Sequence, residues 1–226
     1  MPDRASFGPR TGRAPVAELH LVCCSVHSGQ LVILMREPNA GRAAIPTQIL
    51  EAGEDPEVHA ARVARDLFGR APAGVVQAGT FATQDATALA VTFTIVIPAG
   101  RDAPAGWEWR RANRSGAATG SVDGDATGAI ERAVRALRER MDLEPIAFQL
   151  LAHTFTLSEL QKLYELLLGR KVHKASFRRS LAAAELVQPV DEWRTEGRGR
   201  PAQLFRYAPR KAKGRQERSV RFELLR

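Results

Sequence analysis

The 226-residue sequence has few cysteines, few aromatic residues and no long hydrophobic run. Its two cysteines, Cys23 and Cys24, are adjacent, and neighbouring side chains of a strand point to opposite faces, so we expect no disulfide framework and a cytoplasmic location. No stretch approaches the ~18 apolar residues that a transmembrane helix needs, so no membrane partner is expected. Residues 1–15 contain three arginines but no apolar run, which predicts a flexible arm and no secretory signal.

Motifs of several catalytic classes are also missing. The chain contains no P-loop, no G-x-S-x-G nucleophile elbow and no G-x-G-x-x-G dinucleotide fingerprint. Its five histidines are scattered without the spacing of metal ligands. The sequence therefore predicts no cofactor, no metal site and no catalytic residue of these kinds.

Positive charge is concentrated towards one end of the chain, whose formal net charge is +8. Residues 1–140 contain 16 Lys and Arg against 15 Asp and Glu, whereas residues 141–226 contain 17 against 10. Such a basic region is typical of a protein that contacts a polyanion, and the near-neutral region indicates a separate task. A solvated basic surface is the alternative interpretation.

The near-neutral region has the pattern of an α+β domain. Four apolar runs bounded by turn residues indicate strands at 18–26, 30–36, 75–81 and 89–97. Between the second and third of them, Asp55 and Pro56 predict the start of a helix and Gly69 its end. This order of elements favours a sandwich built on a mixed sheet.

The remaining segments predict a linker followed by a helical domain. Residues 98–128 are rich in small and polar residues, which is typical of a linker, with Trp107 and Trp109 anchoring it to a domain surface. Helical periodicity then returns. Helices are expected at 130–141, 156–169 and 174–185, with strands at 186–190 and 202–207. Three helices followed by a two-stranded hairpin are typical of a winged helix-turn-helix domain.

In a helix-turn-helix, the second helix lies in the major groove of DNA. Phe177 and Leu181 form the core stripe of this helix, so its polar residues face outward. The predicted DNA-binding residues of the helix and of the hairpin, or wing, are Lys174, Ser176, Arg178, Arg179, Arg194, Arg198 and Arg200. The wing segment 197–201 (Gly-Arg-Gly-Arg-Pro) is similar to AT-hook peptides, whose arginines enter narrow A·T minor grooves. A flexible basic hairpin tip is the alternative.

Several spaced motifs of this region resemble the C-terminal winged-helix domain of the Nudix-related transcriptional regulators. They are 155–165 (Phe-Thr-Leu-Ser-Glu-Leu-Gln-Lys-Leu-Tyr-Glu), 177–179 (Phe-Arg-Arg), 199–202 (Gly-Arg-Pro-Ala) and 204–206 (Leu-Phe-Arg). The resemblance covers residues 130–207. It implies a bacterial repressor that binds double-stranded DNA at a palindromic operator as a homodimer. It also implies an N-terminal Nudix-like domain, an α/β/α sandwich, that senses ADP-ribose, another NAD-related nucleotide or, in some relatives, a sugar metabolite.

The composition and the resemblance together predict three parts of the chain. Residues 1–15 are expected to be the flexible arm. Residues 16–128 are expected to be a degenerate Nudix-like effector-sensing domain with its linker. Residues 129–226 are expected to be a winged-helix DNA-binding domain with a basic tail.

The Nudix box itself departs from the pattern that hydrolysis requires. Nudix hydrolases carry G-x5-E-x7-R-E-U-x-E-E-x-G-U, where U is aliphatic. When the last glycine of the box is placed at Gly69, Glu54 and Arg62 match, but Val63, Asp66 and Leu67 replace the three glutamates. Metal-dependent cleavage of a diphosphate needs several converging carboxylates, so we expect no enzyme activity.

The residues expected at the effector site are Arg62, Glu54, Asp66 and Gln77. Arg62 is a candidate phosphate clamp, and a loop-to-helix ion pair with Glu54 that only supports the fold is the alternative. The loop at 82–88, which follows the predicted strand that contains Gln77, has no arginine. In the family, the resemblance implies, arginines of this loop help to hold ADP-ribose. A sugar-responsive regulator, an active Nudix hydrolase of nucleoside diphosphate derivatives and a constitutive DNA-binding protein therefore stay open as alternatives.

Overall fold

The computed structural model describes residues 16–37, 41–51, 53–113, 118–141, 144–195 and 201–208. The arm expected at 1–15 and the basic tail expected after residue 208 lie outside these residues. None of the helices in the described part of the chain combines the length and the apolar character that crossing a membrane requires.

The near-neutral region forms six strands and two long helices. In chain order they are β1 (Val16–His27), β2 (Gln30–Met35), β3 (Thr47–Ile49), α1 (Pro56–Phe68), β4 (Gly74–Ala82), β5 (Ala88–Val96), β6 (Glu108–Arg111) and α2 (Gly124–Arg140). The sheet has the order β4-β5-β1-β2-β6, and β3 also pairs with β1. Because β1 runs parallel to β5 and antiparallel to β2 and β3, the sheet is mixed, as the sequence predicts.

Helices α1 and α2 cover opposite faces of this sheet. Leu21 and Cys23 of β1 pack in the cluster under α1, whereas Val22 and Cys24 pack in the cluster under α2. The alternation follows from the two-residue period of a strand, and it makes β1 apolar on both faces. The two cysteines are free and buried on opposite sides, and burial raises the pKa of the Cys24 thiol to about 12. The predicted α/β/α sandwich is confirmed, and adjacent residues of β1 carry the two thiols to opposite faces.

Helix α1 begins and ends as its local sequence predicts. The Asp55 carboxylate accepts hydrogen bonds from the backbone amides of Glu57 and Val58 at 2.9 and 3.0 Å. Gly69 ends the helix with a φ of 67°, a left-handed conformation that costs glycine little. These caps fix both ends of the helix that carries the Nudix-box positions.

The predicted linker at 98–128 needs correction in two places. Residues Glu108–Arg111 form edge strand β6, where Trp109 donates to the backbone oxygen of Arg101 at 2.8 Å and stacks on Phe68. Residues 124–128 are the first turns of α2, which begins at the Asp123 cap and buries its small residues on the sheet. The expected domain boundary after residue 128 therefore falls inside one continuous helix.

The C-terminal region forms a small three-stranded sheet and three helices. They are α3 (Ile146–Leu150), β7 (Thr154–Phe155), α4 (Leu157–Leu168), α5 (Lys174–Ala183), β8 (Val187–Arg194) and β9 (Ala202–Tyr207), with the sheet in the order β7-β9-β8. The helix expected at 130–141 belongs to the sandwich, and the short α3 takes its place before the helix-turn-helix. The predicted winged helix is confirmed with this change of its first helix.

Candidate DNA-binding surface and effector site

Helices α4 and α5 form the helix-turn-helix. A reciprocal capping box between Thr156 and Glu159 starts α4, as the sequence predicts, and Gly169 ends it with a φ of 68°. The buried ring of Phe177 on α5 lies 5.3 Å from that of Tyr164 on α4. Packing of this inner face leaves the opposite face of α5 open to solvent.

The exposed face of α5 carries the residues predicted to contact DNA. Lys174, Ser176, Arg178 and Arg179 are all exposed. His173 caps the helix by accepting from the backbone amide of Ser176, and its ring also lies 3.2 Å from the Ser176 hydroxyl. Helix α5 thus exposes two arginines and a lysine, which suit the negatively charged major groove of DNA.

The turn between α4 and α5 is held by one carboxylate that the sequence analysis did not single out. Glu165 accepts from the backbone amide of Val172, from Gln161 Nε2 and from Lys171 Nζ at 3.0–3.1 Å. The amide of Val172, then Gln161 and Lys171, hold the pKa of Glu165 below its usual range. Gln161 also donates to the Val172 carbonyl, so two side chains of α4 fix the backbone from which α5 starts.

The wing consists of β8 and β9, which pair in antiparallel register from Val187–Tyr207 to Arg194–Ala202. Arg194, one of the predicted DNA contacts, donates to Glu159 at 2.8 Å and to the Thr154 carbonyl at 3.4 Å. This guanidinium therefore ties the wing to the start of α4. The other two wing arginines of the prediction, Arg198 and Arg200, lie outside the described residues.

The matching positions of the Nudix box form an ion-paired group. Arg62 Nη2 donates to Glu54 at 2.9 Å, and the buried His59 hydrogen-bonds the other carboxylate oxygen. Partial desolvation acts to raise the pKa of Glu54, but His59 and Arg62 together lower it. Asp66 and Gln77 are exposed. Of the four predicted effector residues, the structure thus joins Glu54 and Arg62 as a loop-to-helix pair.

Val63, Asp66 and Leu67, which the sequence analysis aligns with glutamates of the Nudix box, lie on α1, where Asp66 is exposed. Within the residues that the structure describes, no three His, Cys, Asp or Glu side chains converge in a way that could hold a metal ion.

Another candidate site lies on the sheet face that carries α2, where strand register aligns two rows of residues. One row crosses four strands as Phe81–Ala90–Glu18–Ile49, and the next as Gly79–Thr92–His20–Thr47. Residues paired in register share a face, and strands lie ~4.8 Å apart, so each row spans about 14 Å. Ile49 is 63% exposed at one end of its row, which leaves an apolar side chain open to solvent there.

The centre of these rows contains polar atoms without a hydrogen-bond partner. His20 Nε2 lies 3.2 Å from the Glu18 carboxylate, but buried His20 Nδ1 has no partner among the described residues, and neither has the buried Thr92 hydroxyl. Buried polar atoms are ordinarily paired with protein, water or a ligand. Two unpaired atoms on adjacent strands therefore mark this spot as a candidate binding site.

One side chain of α2 overhangs this spot. The Arg132 guanidinium lies 4.5 Å from the ring centroid of Phe81 and donates to the Gly128 carbonyl at 2.9 Å. Gly79 lies beneath it, where a β-carbon would be in ordinary van der Waals contact with Arg132 Cδ at 3.7 Å. We refer to Glu18, His20, Phe81, Thr92 and Arg132 as the α2-face cluster. A local signal for it exists in the sequence: Glu18 and His20 alternate within an otherwise apolar strand.

Comparisons with known proteins bear on the architecture of the chain and on its C-terminal domain. Residues 147–207 match the family described as the NrtR DNA-binding winged helix domain. The ADPR responsive transcriptional repressor NtrR of Acinetobacter baylyi is 34% identical to the chain over 79 residues, which are 35% of this chain. The chain thus matches 31% of the length of that relative.

Two solved structures share the architecture of most of the chain. The NrtR of Shewanella oneidensis, solved in complex with a 27mer DNA, is 25% identical with a TM-score of 0.70, covering 85% of this chain and 94% of that one. A MutT/nudix family protein from Enterococcus faecalis is 16% identical with a TM-score of 0.68, covering 87% and 89%, and this likeness shows the fold alone. The chain thus shares with the Shewanella oneidensis protein an architecture in which a Nudix-like sandwich is followed by a winged-helix domain of the NrtR type.

Proposed function

We propose that this protein is a transcriptional repressor that binds double-stranded DNA through α5 and the wing. The observation that carries the proposal is the exposed basic face of α5, on a helix-turn-helix within the matched residues 147–207. The Shewanella oneidensis protein with the same architecture was solved on DNA, which supports the same use of this domain. Arg178 and Arg179 are suited to guanine edges, and Lys174 and Ser176 to phosphates.

The operator is a palindrome that a homodimer reads. A single α5 covers only a few base pairs, and two copies related by a two-fold axis place their helices about one helical turn apart. Arg194 takes part indirectly, because its bond to Glu159 sets the position of the wing. The arginines of segment 197–201 enter the adjacent minor groove.

The effector is an ADP-ribose-like nucleotide that binds at the α2-face cluster. The curated relative responds to ADPR, and the cluster offers matching chemistry. Glu18, His20 and Thr92 can hydrogen-bond ribose hydroxyls, and Arg132 can pair with a phosphate. The 14 Å span of the rows accommodates an extended nucleotide rather than a single sugar ring. Glu54 and Arg62 support the start of α1 instead of forming the pocket floor.

A sugar metabolite is the second candidate effector, because the loop after β4 offers no arginine. This loop closes on itself: Asp85 accepts from the Thr83 hydroxyl at 2.7 Å and from the Thr87 amide and hydroxyl at 3.1 and 2.9 Å. In either case the protein releases its ligand unchanged, since Val63 and Leu67 cannot bind metal and Asp66 alone replaces three glutamates.

The test is a selection of duplexes from a random library, followed by fluorescence anisotropy with the selected DNA and with a scrambled duplex. We expect preference for the selected DNA, affinity that falls steeply with salt, and weakening of the complex by ADP-ribose. Arg179→Ala should reduce the preference, and Arg65→Ala, which replaces an exposed arginine of α1, should leave it unchanged. No preference in the wild type contradicts DNA recognition. Preference that ADP-ribose, AMP and ribose 5-phosphate all leave unchanged favours a constitutive DNA-binding protein.

A further inference from the structure

Helix α2 connects the α2-face cluster to the helix-turn-helix. Its first half packs on the sheet, where Thr94 donates to the Ala133 carbonyl at 3.3 Å and Arg132 lies over Phe81. Its second half reaches the C-terminal region, where Leu137 belongs to the same apolar cluster as Leu163 of α4. Arg132 and Arg138 are six positions apart, which is about 9 Å along a rigid helix axis.

Near the C-terminal end of α2, Arg138 makes a polar contact with α4. Its Nε donates to the carbonyl oxygen of Leu167 at 2.7 Å. Leu167 lies in the last turn of α4, whose final four carbonyls have no partner within the helix and carry the negative end of its dipole. A guanidinium is therefore well matched to this position, and it fixes the end of α4 to α2.

The contact between Arg138 and Leu167 lies next to the turn that positions α5. Gly169, two residues after Leu167, ends α4, and the backbone amide of Val172 in the turn donates to Glu165. The end of α4 and the start of α5 are thus joined by the five residues 169–173, in which side chains of α4 hold the amide and the carbonyl of Val172.

Elsewhere along α4 the sandwich and the winged helix are less closely packed. A cleft of about 1020 Å³ lies between the tip of the β1–β2 hairpin and α4, lined by Val26–Gln30 on one side and by Lys162 and Leu166 on the other. An open cleft permits α4 to move relative to the hairpin. The bond from Arg138 is a specific polar link between α2 and the end of α4.

We propose that Arg138 is the positioning residue that couples the effector site to the DNA-binding helix. The inference rests on the proposed function, because it assumes that a nucleotide binds beside Arg132. An anionic ligand draws Arg132 away from Phe81 and shifts α2 on the sheet. Arg138 carries this shift to the Leu167 carbonyl, and the two α5 helices of the dimer no longer fit successive major grooves.

The experiment measures a coupling factor in the full-length protein. Operator affinity is determined by anisotropy with and without saturating ADP-ribose, and ADP-ribose affinity by calorimetry. Linkage makes the effect of ADP-ribose on DNA binding equal to the effect of DNA on ADP-ribose binding, and a typical factor is about 5–150-fold. The variants are Arg138→Ala, Arg138→Lys and the matched control Arg135→Ala, an exposed arginine of the same helix.

We expect Arg138→Ala to reduce the coupling factor to about twofold or less, while the affinity for ADP-ribose alone changes by less than about threefold. Arg138→Lys, which keeps a donor and the charge, should restore part of the coupling, and Arg135→Ala should retain all of it. Hydrogen exchange of residues 167–172 should respond to ADP-ribose in the wild type and lose that response in Arg138→Ala.

Two results would overturn the proposal, and they are distinguishable. If the wild type shows coupling and Arg138→Ala retains it, Arg138 is not the coupling residue although the proposed function stands. If ADP-ribose does not bind the wild type, or binds without coupling, the effector assignment fails and the inference fails with it. A global loss of structure in Arg138→Ala would appear as a lower unfolding temperature, and Arg138→Lys then decides the question.

Discussion

The hydrogen bonds of Glu165 allow a quantitative prediction of how much this carboxylate stabilises the helix-turn-helix. Replacing it with alanine removes the acceptor of three hydrogen bonds, two of them from the neutral donors Val172 N–H and Gln161 Nε2. Because the turn lies near the surface, each of these bonds to the carboxylate contributes ~1 kcal/mol to the free energy of unfolding, less than the ~1.5–3 kcal/mol typical of hydrogen bonds to charged groups. Lys171, the third donor, has a side chain that is 92% exposed, so its ion pair adds ~0–1 kcal/mol. We therefore expect Glu165→Ala to destabilise the protein by about 2–3 kcal/mol.

Urea unfolding followed by circular dichroism measures this change, and a loss of ~2 kcal/mol lowers the midpoint by roughly 1 M. Glu144→Ala is the matched control, since Glu144 pairs with Arg140 four residues away and both side chains are about 40% exposed. That pair should contribute ~0.5 kcal/mol or less. Equal midpoints for the two variants would refute the assignment of the turn to Glu165.

The same carboxylate predicts a pH dependence. Its pKa in the folded protein lies below that of the unfolded chain, about 4.3. Its contribution to stability is therefore complete above the unfolded pKa and is lost as the pH falls through the folded pKa. The difference in unfolding free energy between wild type and Glu165→Gln should be constant near neutral pH and shrink under acid conditions. A difference that grows on acidification would contradict this reasoning.

Three further predictions concern the two candidate sites. Arg179→Ala should weaken operator binding by ~1–3 kcal/mol and relax the preference for one base pair. Lys174→Ala should weaken binding to all DNA sequences equally and reduce the slope of log affinity against log salt concentration by about one. A preference that Arg179→Ala leaves intact would place base recognition elsewhere. Thr92→Val removes a buried hydroxyl that has no partner within the described residues, so stability should be retained while ADP-ribose affinity falls at least about tenfold, as calorimetry would show; unchanged affinity excludes this hydroxyl from the site. With Mg²⁺ or Mn²⁺, release of AMP from ADP-ribose should be the same for wild type and Asp66→Ala, and turnover that disappears in the variant would restore the hydrolase alternative.

The parts of the fold that follow from local sequence were predictable. Asp55, Pro56 and Gly69 specify α1, and Thr156 with Glu159 specifies the start of α4, because each cap needs only residues within one helical turn. The start of α2 was not predictable in this way. Glycines 124 and 128 are poor helix formers, and it is burial of the neighbouring alanines on the sheet, together with the Asp123 cap, that makes this segment helical.

The α2-face cluster shows why the candidate effector site was missed. Phe81 and Glu18 lie in one row only because β4, β5 and β1 pair in one particular register. The alternation of Glu18 and His20 marks polar positions within β1, but it does not specify which distant strands lie beside them. Gln77, by contrast, was expected from resemblance alone, and it is exposed on edge strand β4. The arginines of α5 were predictable because Phe177 and Leu181 define the buried side of a helix by spacing alone.

The parallel pairing of β1 with β5 has a consequence for how the protein folds during synthesis. Val16 pairs with Ala88 and Cys24 with Val96, so each contact closes a loop of about 70 residues. The central strand must therefore wait for a distant partner, and its other apolar face stays uncovered until α2 has left the ribosome. A truncated protein that stops at residue 128 would expose Val22 and Cys24 to solvent and aggregate. A sandwich domain produced on its own should therefore extend at least to Arg140, the end of α2.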